Sequence, residues 1–415
     1  MLLRGGKKAL AAVGLGLLFA GSAAAPPPVR VEAGVDVLAA EGFAPLKGKR
    51  VGLITNPSGR AADGRRTLDL LAAAKDVNLA VILSPEHGLA GNISEGKIGD
   101  SVDPATGIRV YSLYGKTRRP TAEMLAGLDI LVFDIQDTEA RYSSYIATMA
   151  YAMEEAAKHK LEFVVLDRPN PLNGVGVEGP VLDADRLNFE GYFPLPLRHG
   201  MTLGELARLF NEENRIGVRL TVVGMKHWRR AMWFDETGLE WVKPSPNLHS
   251  LTGNTFYPAV ELLRAGGVSV GRGTETPFEL FGAPWMDGEQ LARYLGARHI
   301  PGVGFLPIEF TPSEDVHAGH PCHGVRLRLT DREKLDVGRL GVELLSALWR
   351  LYPRDFQLEK TIRLLGSAKT LARLRAGDDP VAIVQGWQAE LAAFRKLRAR
   401  YLLYDSAAPR RRHTQ

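Results

Sequence analysis

Short apolar runs that break off abruptly into charged residues constrain the architecture of this chain. Leu79–Leu83 leads into Pro85, Glu86, His87 and Gly88, Ile130–Phe133 into Asp134 and Asp137, and Phe163–Leu166 into Asp167, Arg168, Pro169 and Asn170. Unbroken runs of this length read as strands buried on both faces, the pattern of a parallel sheet covered by helices. Such sheets bind ligands in the crevice beyond the carboxyl ends of their strands, which is where these charges fall. A fold needs no ionic groups there, so the pattern points to a site.

The same texture continues through the first half. Strands are expected at Val51–Thr55, Leu79–Leu83, Val110–Leu113, Ile130–Phe133, Phe163–Leu166 and Leu220–Val223, with helical patterns at Arg66–Ala74, Pro120–Ala126, Ser144–Lys158 and Thr202–Asn214. Thr202 and Glu205 have the spacing of a capping box. Alternating strands and helices predict an α/β domain with a mainly parallel sheet over residues 35–250. Proline, glycine and polar residues then crowd Pro244–Gly288. A smaller α+β domain is expected over 251–405, with a strand at Val325–Leu329 and helices at Val337–Leu351 and Ile383–Leu402. Residues 406–415 read as a frayed tail.

Residues 1–25 read as a secretory signal. Arg4, Lys7 and Lys8 precede the apolar stretch Ala9–Ala20, and small residues follow, with cleavage expected near Ala24. The net charge of +5 falls to +2 without those three cations and to −1 without Arg410–Arg412. No basic stripe interleaved with aromatics remains, so nucleic-acid binding has no footprint here. The single Cys322 rules out an internal disulfide. The mature chain is expected to be secreted or periplasmic, with no membrane contact after cleavage.

Four motifs resemble functional signatures but lack the required context. Gly174–Gly179 spells a dinucleotide fingerprint, yet it is separated from the preceding strand and is followed by Pro180. Gly91–Lys97 is a phosphate loop with Ile98 where magnesium needs a hydroxyl. Gly267–Gly271 places Ser269 in a nucleophile-elbow pattern without the flanking strand and helix. His317, His320, Cys322 and His323 are metal-ligand types, but no second cluster completes a usual set. No metal or cofactor is expected.

Glu86, Asp134, Asp137, Asp167 and Glu178 are carboxylates at three strand ends and one loop. Paired carboxylates suit glycoside cleavage, one protonating the leaving oxygen while the other attacks or activates water. Some of the five are expected to cap helices or to pair with Arg141 and Arg168, Asp167 first among them and Asp134 next.

Eight ordered stretches carry a specific resemblance: Pro85–Gly88, Val110–Gly115, Val132–Asp137, Leu166–Pro171, Val177–Pro180, His199–Ala207, Pro244–Asn247 and Val270–Thr274. Over about residues 35–405 the chain resembles the NamZ-type exo-β-N-acetylmuramidases (glycoside hydrolase family 171). The resemblance implies a Rossmann-like N-terminal domain, a smaller C-terminal domain and a cleft between them. It also implies release of N-acetylmuramic acid from the non-reducing end of peptidoglycan-derived muropeptides or disaccharides. It nominates Glu86 as a catalytic carboxylate, with Asp137 or Glu178 as its partner. His87, Tyr114, Asn170 and Asn247, which lie in the matching motifs, are candidate substrate-binding residues. After Asp137, relatives usually read a small residue, then arginine and aromatics; this chain has Glu139 there and loses an aromatic to serine.

Muramic acid carries a lactyl ether with a carboxylate, which an arginine fork binds well. Arg141, Arg168 and Arg272 are the candidates for that role. Tyr111, Tyr114 and Trp285 are candidates for stacking on a sugar face. The substrate's acetamido group is an alternative nucleophile. Two other readings stay open: an acyl hydrolase using Ser269, and a muropeptide-binding protein without turnover.

Overall fold

The computed structural model describes residues 1–2, 30–94, 96 and 98–405. Beyond its first two residues, the signal read at 1–25 lies outside the described residues, as does the tail at 406–415. Strands β1 (Arg50–Thr55), β2 (Asn78–Ser84), β3 (Ser101–Val102), β4 (Arg109–Ser112), β5 (Ile130–Asp134) and β6 (Glu162–Leu166) are followed by a separate hairpin, β7 (Glu178–Val181) and β8 (Pro196–Arg198), and by β9 (Arg219–Val223). One sheet has the order β3-β4-β2-β1-β5-β6-β9. Every neighbouring pair in it is parallel except β3 with β4. Counted along the chain, the parallel strands run 3-2-1-4-5-6, the doubly wound order of a Rossmann-like fold.

Alternation along the strands builds two cores. In β5, Ile130 and Val132 face the layer that contains Leu38, Leu68 and Leu71. Leu131 and Phe133 face the opposite layer, with Met149 and Met153 of helix Ser144–Lys158 and Leu206 and Phe210 of helix Leu203–Glu213. Both faces are therefore covered, which accounts for the unbroken apolar runs.

That second core continues into the C-terminal half. There β10 (Leu280–Ala283), β11 (Val303–Phe310) and β12 (Cys322–Leu329) form an antiparallel sheet in the order β10-β12-β11. Helix Val337–Leu351 packs on helix Leu251–Val260 and on β7. Helix Leu251–Val260 lies inside the stretch whose composition suggests irregular structure. Ser250 caps it, accepting the Gly253 N–H at 2.8 Å, and Pro258 is accommodated within it. The single helix expected at Ile383–Leu402 is instead two, Pro380–Gln385 and Gln388–Arg398. Asp379 caps the first and Pro380 starts it, so it begins before the periodicity is visible.

Strand order reverses between β1 and β5, where doubly wound sheets usually open. Here that point is stitched closed. Ser58 Oγ accepts the Gln136 N–H at 2.9 Å, and Pro244 O accepts Asn56 Nδ2 at 3.1 Å and the Tyr145 hydroxyl. The opening lies instead beyond β2 and β4.

Candidate active site

A cavity of about 550 Å³ lies between the two halves, within the range of small-ligand sites. One wall carries Glu86, His87, Tyr114 and Ser144; the other carries Tyr257, Glu261, Arg264, Arg272 and Asp315. Glu86 follows β2 and faces the first turn of helix Ser144–Lys158. Its carboxylate accepts the Ser144 hydroxyl, and Tyr114 is hydrogen-bonded to it. Burial, reinforced by Glu86, pushes the Tyr114 phenol up to about 12, so Tyr114 keeps its proton.

Four described carboxylates line the cavity, and three are held by arginine. Glu261 pairs with Arg272 at 2.9 Å, Asp315 with Arg264, and Glu190 with Arg363. Glu86 alone among them has hydroxyl partners. A hydroxyl can donate to a carboxylate or accept from a carboxylic acid, whereas guanidinium can only donate. Ser144 and Tyr114 can therefore follow Glu86 through both protonation states.

The residue after Glu86 is fixed by its backbone and by both ring nitrogens. His87 adopts a left-handed φ of 71°. Its Nδ1 lies 2.7 Å from the Ile93 carbonyl and so carries the proton, leaving Nε2 to accept from Ser245 Oγ at 3.2 Å. Burial holds the imidazole below its ordinary range. Ser245 belongs to the Pro244–Asn247 segment. That segment ties the strand ends to the C-terminal half, since Asn247 Oδ1 accepts the Gly273 N–H at 3.3 Å.

Of the residues singled out from sequence, Glu86, His87, Tyr114 and Arg272 line the cavity; Asp137, Glu178, Arg141, Arg168, Asn170 and Asn247 are not among its lining residues. Glu178 is held by Arg198 at 2.6 Å and accepts the Val337 N–H at 2.7 Å, which anchors β7 to the helix Val337–Leu351. Arg141 is bound to four backbone carbonyls, Pro180, Leu195, Leu364 and Leu365. Arg168 grips Asp134 through two nitrogens and also reaches the Arg60 carbonyl at 2.8 Å. Asn170 bridges Glu139 and the Met201 carbonyl. Asp167 accepts from Thr202, Gly204 and Tyr404 at the start of helix Leu203–Glu213, a capping role. Tyr111 and Trp285 also lie outside the lining, while Phe189 joins Tyr114 as a tilted pair, centroids 6.1 Å apart.

Ser269 is buried at a strand edge, with its backbone N–H and C=O both paired to Gly282 at 2.9 Å. The next helix begins only at Gly288, so no nucleophile elbow forms.

Residues 51–252 match the N-terminal domain, and residues 255–404 the C-terminal domain, of the exo-β-N-acetylmuramidase NamZ. The chain belongs to the NamZ family. It is 44% identical over 379 residues to the peptidoglycan β-N-acetylmuramidase NamZ of Bacillus subtilis strain 168, covering 90% of this chain and 92% of that protein. Two DUF1343 family crystal structures from Bacteroides fragilis NCTC 9343 share the fold. One has a TM-score of 0.84 at 37% identity and the other 0.76 at 29%, each covering 91% of this chain and all of the other.

The segment after Asp137 forms a buried ionic cluster. Glu139 adopts φ 73°, a conformation unfavourable for a residue with a Cβ, and is fully buried. Ligand atoms of Asp137, Glu139 and His199 lie within 4.8 Å of one another. A metal does not fit the hydrogen bonding. His199 Nδ1 accepts the Met201 N–H at 3.2 Å, so the ring proton of a neutral imidazole sits on Nε2, 3.4 Å from Asp137 Oδ2. A cation on Nε2 would leave an imidazolate.

The cluster holds protons instead. Burial pushes the Glu139 carboxyl up to about 7. The folded-state value exceeds the unfolded one, so this contribution is present at low pH and is lost as pH rises between about 4.5 and 7. Glu139→Gln is expected to flatten the decline of the thermal midpoint between pH 5 and 8. Identical slopes in the two proteins would refute this assignment.

Proposed function

We propose that this protein is an exo-acting glycosidase that releases N-acetylmuramic acid from the non-reducing end of peptidoglycan fragments, with Glu86 as its proton donor. The observation that carries the mechanism is the contrast among the cavity carboxylates: Glu86 rests on hydroxyls, while the others are held by arginine. With no second carboxylate free among the described lining residues, the nucleophile is the substrate's own acetamido oxygen. That oxygen attacks the anomeric carbon while Glu86 passes its proton to the departing glycosidic oxygen. Water, deprotonated by Glu86, then opens the resulting oxazolinium ring and regenerates the acid.

Arg272 is the candidate for the lactyl carboxylate. Arg141 is bound to four backbone carbonyls and Arg168 to Asp134 and the Arg60 carbonyl, whereas Arg272 lines the cavity. Arg272→Ala is expected to raise KM for a chromogenic muramic acid glycoside by ~10–100-fold, about 1.5–3 kcal/mol for a charge-assisted hydrogen bond. The matching glucosamine glycoside should change little. An unchanged preference would remove Arg272 from this role. A stem peptide converts the lactyl carboxylate to an amide, so peptide-free sugars are the preferred substrates on this reading. The basic-then-apolar pattern of residues 1–25 supports a location outside the cytoplasm.

A further inference from the structure

We propose that the Tyr257 hydroxyl steers the substrate's acetamido nucleophile, accepting its N–H as the acetamido oxygen attacks the anomeric carbon. This inference rests on the muramidase reading above. In a muramic acid ring the glycosidic oxygen, the acetamido group and the lactyl ether stand on consecutive carbons. With Glu86 at the first and Arg272 at the third, a group between those two side chains meets the acetamido. Two side chains of the cavity lining, His87 and Tyr257, lie under the charges of both Glu86 and Arg272. Both nitrogens of His87 are already engaged, by the Ile93 carbonyl and by Ser245. The Tyr257 hydroxyl, by contrast, makes no hydrogen bond among the described residues, and it is not one of the partnerless atoms sealed from solvent. Its side chain is partly exposed on the cavity wall.

Packing positions this phenol while leaving its oxygen for a ligand. Tyr257 lies near the end of helix Leu251–Val260, and its ring meets Tyr142 edge-on at 75° with centroids 5.4 Å apart, and Phe278 at 70° with centroids 4.8 Å apart. Tyr142 also donates its hydroxyl to the Tyr257 carbonyl at 2.9 Å, fixing the backbone that carries the ring. Burial, reinforced by Glu261, pushes the phenol well above its ordinary range, so it stays a neutral hydroxyl with lone pairs to offer. Donation to the acetamido oxygen would draw electrons from the attacking atom, whereas acceptance from the nitrogen supplies them. As the bond from that oxygen to the anomeric carbon forms, the bond to the leaving oxygen breaks. The Glu86 proton ends on the leaving oxygen, and the N–H proton stays on a nitrogen that becomes cationic. The hydrogen bond to Tyr257 therefore strengthens in the transition state, the condition for raising kcat rather than only lowering KM.

Chromogenic muramic acid glycosides that differ only at the amide, turned over by the intact protein, test this. Stepwise fluorination of the acetyl group should lower the parent's kcat, because the attacking oxygen loses electron density. Tyr257→Phe, which keeps the ring packing, should lower kcat on the acetamido glycoside by ~10–100-fold, the effect of one charge-assisted hydrogen bond, with KM within about threefold. On the N-methylacetamido glycoside, which has no N–H, parent and variant should turn over equally slowly. A parental kcat in Tyr257→Phe, a change confined to KM, or a gap between the two proteins that persists on the N-methylated substrate overturns the role of Tyr257 alone. A parent insensitive to fluorination overturns acetamido participation and this inference with it. No turnover of any muramic acid glycoside overturns the muramidase reading. If Tyr257→Phe does not fold, the parent decides, and undiminished turnover of the N-methylated substrate overturns the proposal.

Discussion

Glu86→Gln is expected to lower kcat on a chromogenic muramic acid glycoside by ~10³-fold or more, the scale of losing a positioned acid, equivalent to about 4 kcal/mol of barrier. KM should change little, because glutamine keeps the shape of the side chain and its hydrogen bond to Ser144. The thermal midpoint should hold as well, since Glu86 caps no helix and pairs with no arginine in the described structure. Ser269→Ala is the matched control for the acyl-hydrolase reading, and its activity should stay within about twofold, the effect of a minor substitution at a site with no role in the chemistry. Activity that survives loss of Glu86 and dies with Ser269 would refute the glycosidase mechanism.

The leaving group sharpens the same experiment. A general acid matters most when the departing oxygen is basic, so an activated aryl glycoside needs less help than a natural sugar. Glu86→Gln should therefore be more damaging on a disaccharide than on a nitrophenyl glycoside. Were Glu86 a nucleophile, the defect would persist with the activated leaving group. The hydroxyl setting of Glu86 favours the first outcome, because Ser144 and Tyr114 can reorient as the proton leaves and returns.

Strand positions were legible because a doubly covered sheet writes itself as unbroken apolar runs. All six parallel strands lie within a residue or two of those runs, and Thr202 and Glu205 form the expected box. The meaning of the strand-end charges was not legible locally. Asp134 and Asp167 sit in the same sequence context as Glu86, yet one is neutralised by Arg168 from the adjacent strand end and the other caps a helix. Only pairing in space separates them from an available acid. Apart from Arg272, the opposite wall of the cavity was missed for a related reason. Glu261, Arg264 and Asp315 come from a 3-10 turn and a distant loop with no motif of their own, and their convergence depends on how the C-terminal half packs. Ser144 was visible as a helix start, but its contact with Glu86 spans 58 residues.

Arg141 illustrates how a motif arginine can belong to the fold. Its guanidinium is fully buried and donates to the Pro180 and Leu195 carbonyls of the β7–β8 region and to the Leu364 and Leu365 carbonyls of the C-terminal half. Burial lowers its pKa to about 10, so it remains charged at neutral pH without a carboxylate partner. Arg141→Ala strips donors from four carbonyls and opens a void. At ~1–3 kcal/mol for each group left unsatisfied, partly relieved by water entering the void, the net loss should be on the order of 4 kcal/mol. For a chain of this length that corresponds to a fall in thermal midpoint of roughly 5 °C. Arg141→Lys should recover part of it, because one ammonium can still reach some of the carbonyls but cannot fork between the two halves. The discriminating measurement pairs thermal denaturation with kinetics on the surviving folded protein. A substrate-binding arginine would leave stability intact and raise KM. The structure predicts the reverse: a weakened protein whose remaining folded fraction keeps its KM and its preference for muramic acid.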